Sequence, residues 1–152
     1  AGSSMFKRMK KALDNGLLRR EQPFMTGVKA RELYNFVDKA SEEIVVVQGI
    51  IDAFFEEEDE IVLVDYKTDY VPKGAGQILV DRYKVQLDYY QKALENMLHK
   101  TVKEKYIYLY NIKEIYRKEL FLALMNNDFE RFDRLATGTC VKFRKKRNIL
   151  DE

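Results

Sequence analysis

Asp52, Asp65 and Lys67 are the residues whose types and spacing point most directly to chemistry. Asp52 closes the run Gln48-Gly49-Ile50-Ile51-Asp52, and Asp65 opens Asp65-Tyr66-Lys67-Thr68-Asp69. Two carboxylates held at about 5 Å repel each other, and removal from water inside an apolar sheet adds to that cost. A divalent cation relieves both. Mg²⁺ prefers oxygen ligands, keeps several waters, and is commonly held by one or two carboxylates together with a substrate phosphate. A neighbouring ammonium can stabilise developing negative charge or help deprotonate water. The plainer alternative is an Asp65–Lys67 ion pair beside a turn, with Asp52 at a strand end. Asp-x-Lys alone does not decide between the two. Asp52 at a hairpin-compatible distance favours the chemical reading.

The elements that must position these residues are legible on either side of an acidic turn at residues 56–60. Ile44-Val45-Val46-Val47 precedes it and Ile61-Val62-Leu63-Val64 follows it. Both runs are β-branched and apolar on successive residues, the pattern of strands covered on both faces. A hairpin is the simplest connection. Centred between Glu58 and Asp59, it sets Asp52 directly opposite Asp65; a one-residue slip would send the carboxylates to opposite faces. Lys67 lies two residues beyond Asp65, hence on the same face and roughly 7 Å along the strand. Residues 77–99 carry Tyr83, Leu87, Tyr90, Leu94, Met97 and Leu98 at helical spacing. Gln86 shares the side of Tyr83 and Tyr90. A glutamine on an apolar face needs partners, so it is either a satisfied core amide or a group aimed at the site.

With 152 residues, 46% hydrophobic and 34% charged, the chain fits one soluble domain with a single core. The net charge of +2 is nearly balanced, so affinity for nucleic acid must come from local patches. One cysteine, Cys140, cannot form an internal disulfide, and a reduced cytoplasmic setting is expected. The longest apolar stretch, residues 44–55, is interrupted by Gln48 and Asp52 and is too short to span a bilayer. No signal peptide is apparent, and no membrane association is expected. Ala1-Gly2-Ser3-Ser4 resembles a cloning scar and is left out of the fold reasoning.

The remaining elements are read as follows. Residues 5–18 form a basic helix stopped by Asn15-Gly16. Residues 17–25 form a strand in which Pro23 marks an edge or an end. Residues 26–41 stay unassigned apart from a short turn at 31–36, and 70–76 form a breaker-rich loop. Lys73 in that loop, with Arg82 and Lys84, could meet a phosphate backbone; solvated charges are an equal alternative. Residues 105–111 form a strand, with 114–118 a candidate partner. One amphipathic helix is expected over 119–136, then a mobile basic tail from Lys142 to Arg147. His99, the only histidine, suits a helix C-terminus without any catalytic role.

Gln-Gly-Ile-Ile-Asp, Val-Asp-Tyr-Lys-Thr-Asp and Gln86-Leu87-Asp88-Tyr89-Tyr90 together resemble the RecB-type nuclease domain of the PD-(D/E)XK superfamily. Within it, the chain is most similar to the C-terminal nuclease domain found in bacterial recombination helicase–nucleases. The similarity runs from about Leu17 to about Lys118. The expected domain therefore covers residues 5–118, with residues 119–152 an added helix and tail. The resemblance implies an α/β fold with a restriction-endonuclease-like core, a central mixed β-sheet flanked by helices. It implies a metal-dependent deoxyribonuclease of exonuclease type, using Mg²⁺ or Mn²⁺, acting on DNA and in particular on single-stranded ends. By motif position Asp52, Asp65 and the backbone carbonyl of Tyr66 would hold the metal, Lys67 would be catalytic, and Gln86 and Tyr90 match a Gln-x-x-x-Tyr helix motif. Arg20-Glu21-Gln22-Pro23-Phe24 resembles the strand that opens this region, and Glu21 is an additional candidate ligand. Family members also carry an upstream histidine, which no residue here matches. The four cysteines of an iron–sulfur cluster and a phosphate-binding Gly-Lys-Thr loop are missing, so neither cluster nor ATP site is expected. A helicase or nuclease partner subunit is an expected associate. The rival expectation is a DNA-binding or interaction module that keeps the fold without turnover.

Overall fold

Ile61, Val62, Leu63 and Val64 are all completely buried, so the second apolar run is a central strand covered on both faces. The computed structural model describes residues 2–34, 38, 42–68, 76–111, 117–135 and 137–143. In chain order these form α1 (Gly2–Asp14), β1 (Leu18–Lys29), α2 (Ala30–Leu33), β2 (Ile44–Glu57) and β3 (Glu60–Lys67). There follow α3 (Gly76–Leu98), β4 (Val102–Asn111), α4 (Arg117–Met125), α5 (Phe129–Leu135) and β5 (Thr137–Phe143). The five strands make one mixed sheet in the order β1-β2-β3-β4-β5. Only β3 and β4 are parallel, and α3 is the crossover between them. This is the expected α/β architecture.

Two apolar clusters cover the two faces. Phe6, Met9, Phe129 and Phe132 from α1 and α5 pack on Ala53, Phe55, Val62, Val64 and Tyr108. Leu79, Leu87, Tyr90 and Leu94 of α3 pack on Ile51, Phe54, Ile61, Leu63 and Ile107. The hairpin turn is centred where the charge pattern indicates: Glu57 faces Glu60 and Ala53 faces Val64. Glu58 and Asp59 both have positive φ, 52° and 67°, which suits the right-handed strand twist. Lys100 offsets the acidic turn by pairing with Glu56 at 2.6 Å and Asp59 at 2.9 Å.

Four expectations change. The Ile44–Val47 run is not covered on both faces: Ile44 is 57% and Val46 60% exposed. The β2–β3 ladder ends at Ala53 and Val64, and among the described residues, 44–51 pair with β1 alone. The single helix over 119–136 is two, because Asn127 turns the chain at φ 55° and Asp128 caps α5 through the Arg131 N–H. Residues 117 and 118 belong to α4, while 112–116 lie outside the described residues. The edge partner of β4 is instead β5, so the basic tail starts inside the sheet. Lys142 reaches Glu104 at 3.4 Å, and residues 144–152 lie outside the described residues. No described helix is long and apolar enough to cross a membrane.

Candidate active site

The β2–β3 ladder stops one residue short of Asp52 and Asp65, and the strands fork there. The fork coincides with an irregularity on the neighbouring strand β1. Glu21 adopts φ 49°, and the regular β1–β2 pairing skips Glu21 and Asp52 between Arg20–Ala53 and Gln22–Ile51. The ribbon rotates at this point. The face that Leu18, Ala53 and Phe55 turn toward α1 and α5 is the one that Phe24 and Ile51 turn toward α3. With no ladder partner on β2, the Tyr66 N–H donates to Asp52 Oδ2 at 2.9 Å. A side-chain carboxylate thus occupies the place where a strand carbonyl would otherwise sit.

Asp65 is buried, with only 2% of its side chain exposed. Lys67 Nζ stands 2.8 Å from Asp65 Oδ2 as an ion pair, and that buried oxygen has no other partner among the described residues. Burial, opposed by Lys67 and reinforced by the Asp52 charge, pushes the Asp65 carboxyl up to about 6. Burial works against the charge on Lys67, but Asp65, with Asp52 behind it, outweighs burial and holds the ammonium above its ordinary value. Its other neighbour is the Tyr83 ring, with Nζ 4.8 Å from the ring centre. Gln86 Nε2 donates to the Tyr90 hydroxyl at 2.8 Å. Burial first, then the Asp65 charge, raises the Tyr90 phenol above its usual value, so it stays protonated beside the carboxylates. Phe24 braces the Tyr90 ring edge to face, centres 5.2 Å apart. Gly49 makes this possible, since a Cβ there would meet Phe24 Cε1 at 2.8 Å.

Asp52, Asp65, Lys67 and Tyr90 therefore converge, with Gln86 linked through Tyr90. Glu21 is exposed and shares a cavity with Asp52 and Tyr66. No group of three His, Cys, Asp or Glu able to hold a metal occurs among the described residues. Arg82 and Lys84 are exposed on α3, and Lys84 is paired with Asp88. Lys73 lies outside the described residues. The residues present suit a hard divalent cation: two carboxylates, the adjoining Tyr66 carbonyl, and a buried carboxylate oxygen without a hydrogen bond. Sequence reading missed the cation–π partner Tyr83 and the brace Phe24. Tyr83 left a signal, one turn before Gln86 on the same stripe; Phe24 left none, because its role depends on the β1–β2 register.

A profile of the PD-(D/E)XK nuclease superfamily matches residues 3–150. The chain is 51% identical over 109 residues to an ATP-dependent helicase/nuclease protein of Thermoanaerobacter sp. (strain X514), covering 71% of this chain and 9% of that protein. It is 47% identical over 116 residues to the protein of the same name from Clostridium novyi (strain NT), covering 74% of this chain and 9% of the relative. With the protein of that name from Ruminiclostridium cellulolyticum it shares 44% identity over 111 residues, 72% of this chain and 9% of the relative. The chain thus spans about a tenth of the length of the curated relatives it matches. The aspartates and lysine at the sheet's fork, the mixed sheet around them and a profile match along nearly the whole sequence agree: the chain belongs to the PD-(D/E)XK nuclease superfamily.

Proposed function

We propose that this chain hydrolyses phosphodiester bonds of DNA in a reaction that depends on Mg²⁺ or Mn²⁺. The observation that carries the reading is the meeting of Asp52, Asp65 and Lys67 at the fork, where a buried Asp65 oxygen has no hydrogen bond. Asp52, Asp65 and the Tyr66 carbonyl would hold the cation, which when bound supplies charge to polarise water and phosphate. Lys67, kept protonated by the carboxylates, faces the negative charge that builds on the phosphoryl oxygens. Tyr83 limits the directions the ammonium can take. Tyr90, protonated and oriented by Gln86, offers a hydrogen bond to a phosphate oxygen or to water. Exonucleolytic action on single-stranded ends, delivered by a helicase-bearing polypeptide in the cytoplasm, is the finer form of this reading; the names of the relatives support that setting.

The test is thermal unfolding with Mn²⁺ beside cleavage of labelled single- and double-stranded DNA in Mg²⁺, Mn²⁺ and EDTA. Mn²⁺ at a hundredfold excess over its dissociation constant should stabilise the protein by about 2.7 kcal/mol. Asp65→Asn should remove that shift and the cleavage while the protein stays folded. Equal metal shifts in wild type and variant would move the metal elsewhere. A second reading, a DNA-binding module with weak or no turnover, is favoured by the lack of a third side-chain ligand among the described residues. Binding of DNA without cleavage in any metal would select it.

A further inference from the structure

The cavity that Glu21 shares with Asp52 opens on the side of the sheet away from Lys67 and α3, and Lys67 does not line it. It measures about 270 Å³, and its walls come from four strands and a helix. Tyr66 and Tyr110 form the floor, with rings edge to face at 6.5 Å. The Tyr66 hydroxyl is tethered to Met9 Sδ at 3.7 Å, so that ring is held from within the core. Phe121 and Leu124 of α4 form the opposite wall. Phe121 is 59% exposed on α4. Arg20 fastens α4 in place, donating to the carbonyls of Leu124 and, at 2.8 Å, Met125. Its guanidinium therefore serves the helix C-terminus.

The charges around the cavity say what it can take. The carboxylates of Glu21 and Asp52 line it, and its one guanidinium is engaged by carbonyls. A phosphate would be repelled there. An uncharged, flat, polarisable group would not be, and aromatic walls bind such groups through their faces. Because Asp52 belongs to both cavity and metal site, the group must be attached to whatever places its phosphate at the fork.

We propose that this cavity binds an unstacked nucleobase next to the scissile phosphate, with Phe121 of α4 as the stacking ring. The proposal rests on the nuclease reading above and supplies a physical basis for its action on single strands or frayed ends. Stacking on aromatic and apolar walls tolerates every base, since each has a π-face, while the Glu21 and Asp52 carboxylates can accept from base N–H groups. A paired and stacked base cannot enter without first leaving the duplex.

The test uses the full chain carrying Lys67→Ala, to suppress turnover, and single-stranded oligonucleotides with one 2-aminopurine moved along the strand. With Mn²⁺ present, fluorescence should quench strongly at one position. Phe121→Ala should abolish that quench and weaken binding about tenfold or more, the effect of losing one base–aromatic stack. Phe121→Trp should restore both, whereas Phe121→Leu, apolar without a ring face, should not. Binding within twofold of the parent after Phe121→Ala, rescue by leucine, or equal Phe121 dependence on blunt duplex would overturn the proposal. Cleavage by the chain with native Lys67 separates the two readings. Cleavage with no Phe121-dependent quench sinks the base site alone; Phe121-dependent quench without cleavage in any metal sinks the nuclease reading alone.

Discussion

Lys67 is held by two different forces, and they predict different mutational signatures. The carboxylates keep it charged, whereas the Tyr83 face restricts where that charge points. Lys67→Ala should lower single-turnover cleavage about 10²-fold or more while metal affinity survives, since the ammonium acts on the transition state. Loss of metal affinity together with rate would make Lys67 part of the scaffold. Tyr83→Leu removes the ring face under the ammonium, a cation–π contact worth about 0.5–2 kcal/mol, so a drop of about two- to thirtyfold is expected from that loss. Tyr83→Phe keeps the ring face and should retain the cation–π part of the rate. An unaffected Tyr83→Leu rate would mean that the ring is mere packing.

At the scale of elements, Gly49 and Arg8 join parts distant in sequence. Gly49 lets the Phe24 ring lie across β2 and brace Tyr90. Gly49→Ala drives a Cβ into a buried ring, and overpacking of this kind costs about 1–3 kcal/mol. Tm should fall, and the Tyr90-dependent part of the activity should fall with it; an unchanged Tm would show that Phe24 moves freely. Arg8 ties α1 to the hairpin, donating to Glu57 at 2.9 Å from Nε and to Glu104 at 3.0 Å. The Arg8 hydrogen bonds hold the Glu57 carboxyl below its ordinary 4.5 against the opposing effect of burial. A depressed folded pKa contributes stability above the unfolded value and loses it as pH falls through the folded one. Stability should therefore decline below about pH 4.5, and Glu57→Gln should flatten that decline. Arg8→Met should cost about 1–3 kcal/mol at neutral pH. Equal acid sensitivity in Glu57→Gln and wild type would remove this pair from the account.

For the molecule as a whole, many described cations already have carboxylate partners. Lys84 and Lys105 share Asp88, Lys29 and Arg31 share Glu42, and Lys103 lies 3.4 Å from Glu57. With a net charge of +2, little positive field remains to attract a strand from afar. Each phosphate contact on single strands contributes a slope of about −0.7 in log K against log salt, so about three contacts give roughly −2. Titration of single-stranded binding against salt should yield a slope no steeper than that. A much steeper slope would reveal a basic surface beyond the described residues.

Local rules determined most of the elements and the chemistry. The acidic turn between two β-branched runs set the hairpin register, because a slip would reverse every side chain. The stripe from Tyr83 to Leu98 set α3, and Asp-x-Lys on a strand put both groups on one side. What the tertiary structure decided is where pairing stops and what lies across the gap. Hydropathy shows no reason for β2 and β3 to part at Asp52; the parting coincides with the irregularity of β1 at Glu21, on a partner strand far earlier in the chain. The apolar stripe over 119–136 concealed the Asn126-Asn127-Asp128 break, although the capping residue was present. Strand β5 was hidden because a short run with two threonines and a glycine becomes a strand only when β4 offers it an edge. Phe24, Tyr110 and Phe121 acquire their roles from neighbours on other elements. Periodicity reports how a side chain relates to its own strand or helix; which groups face it across a cleft depends on twist and packing between elements.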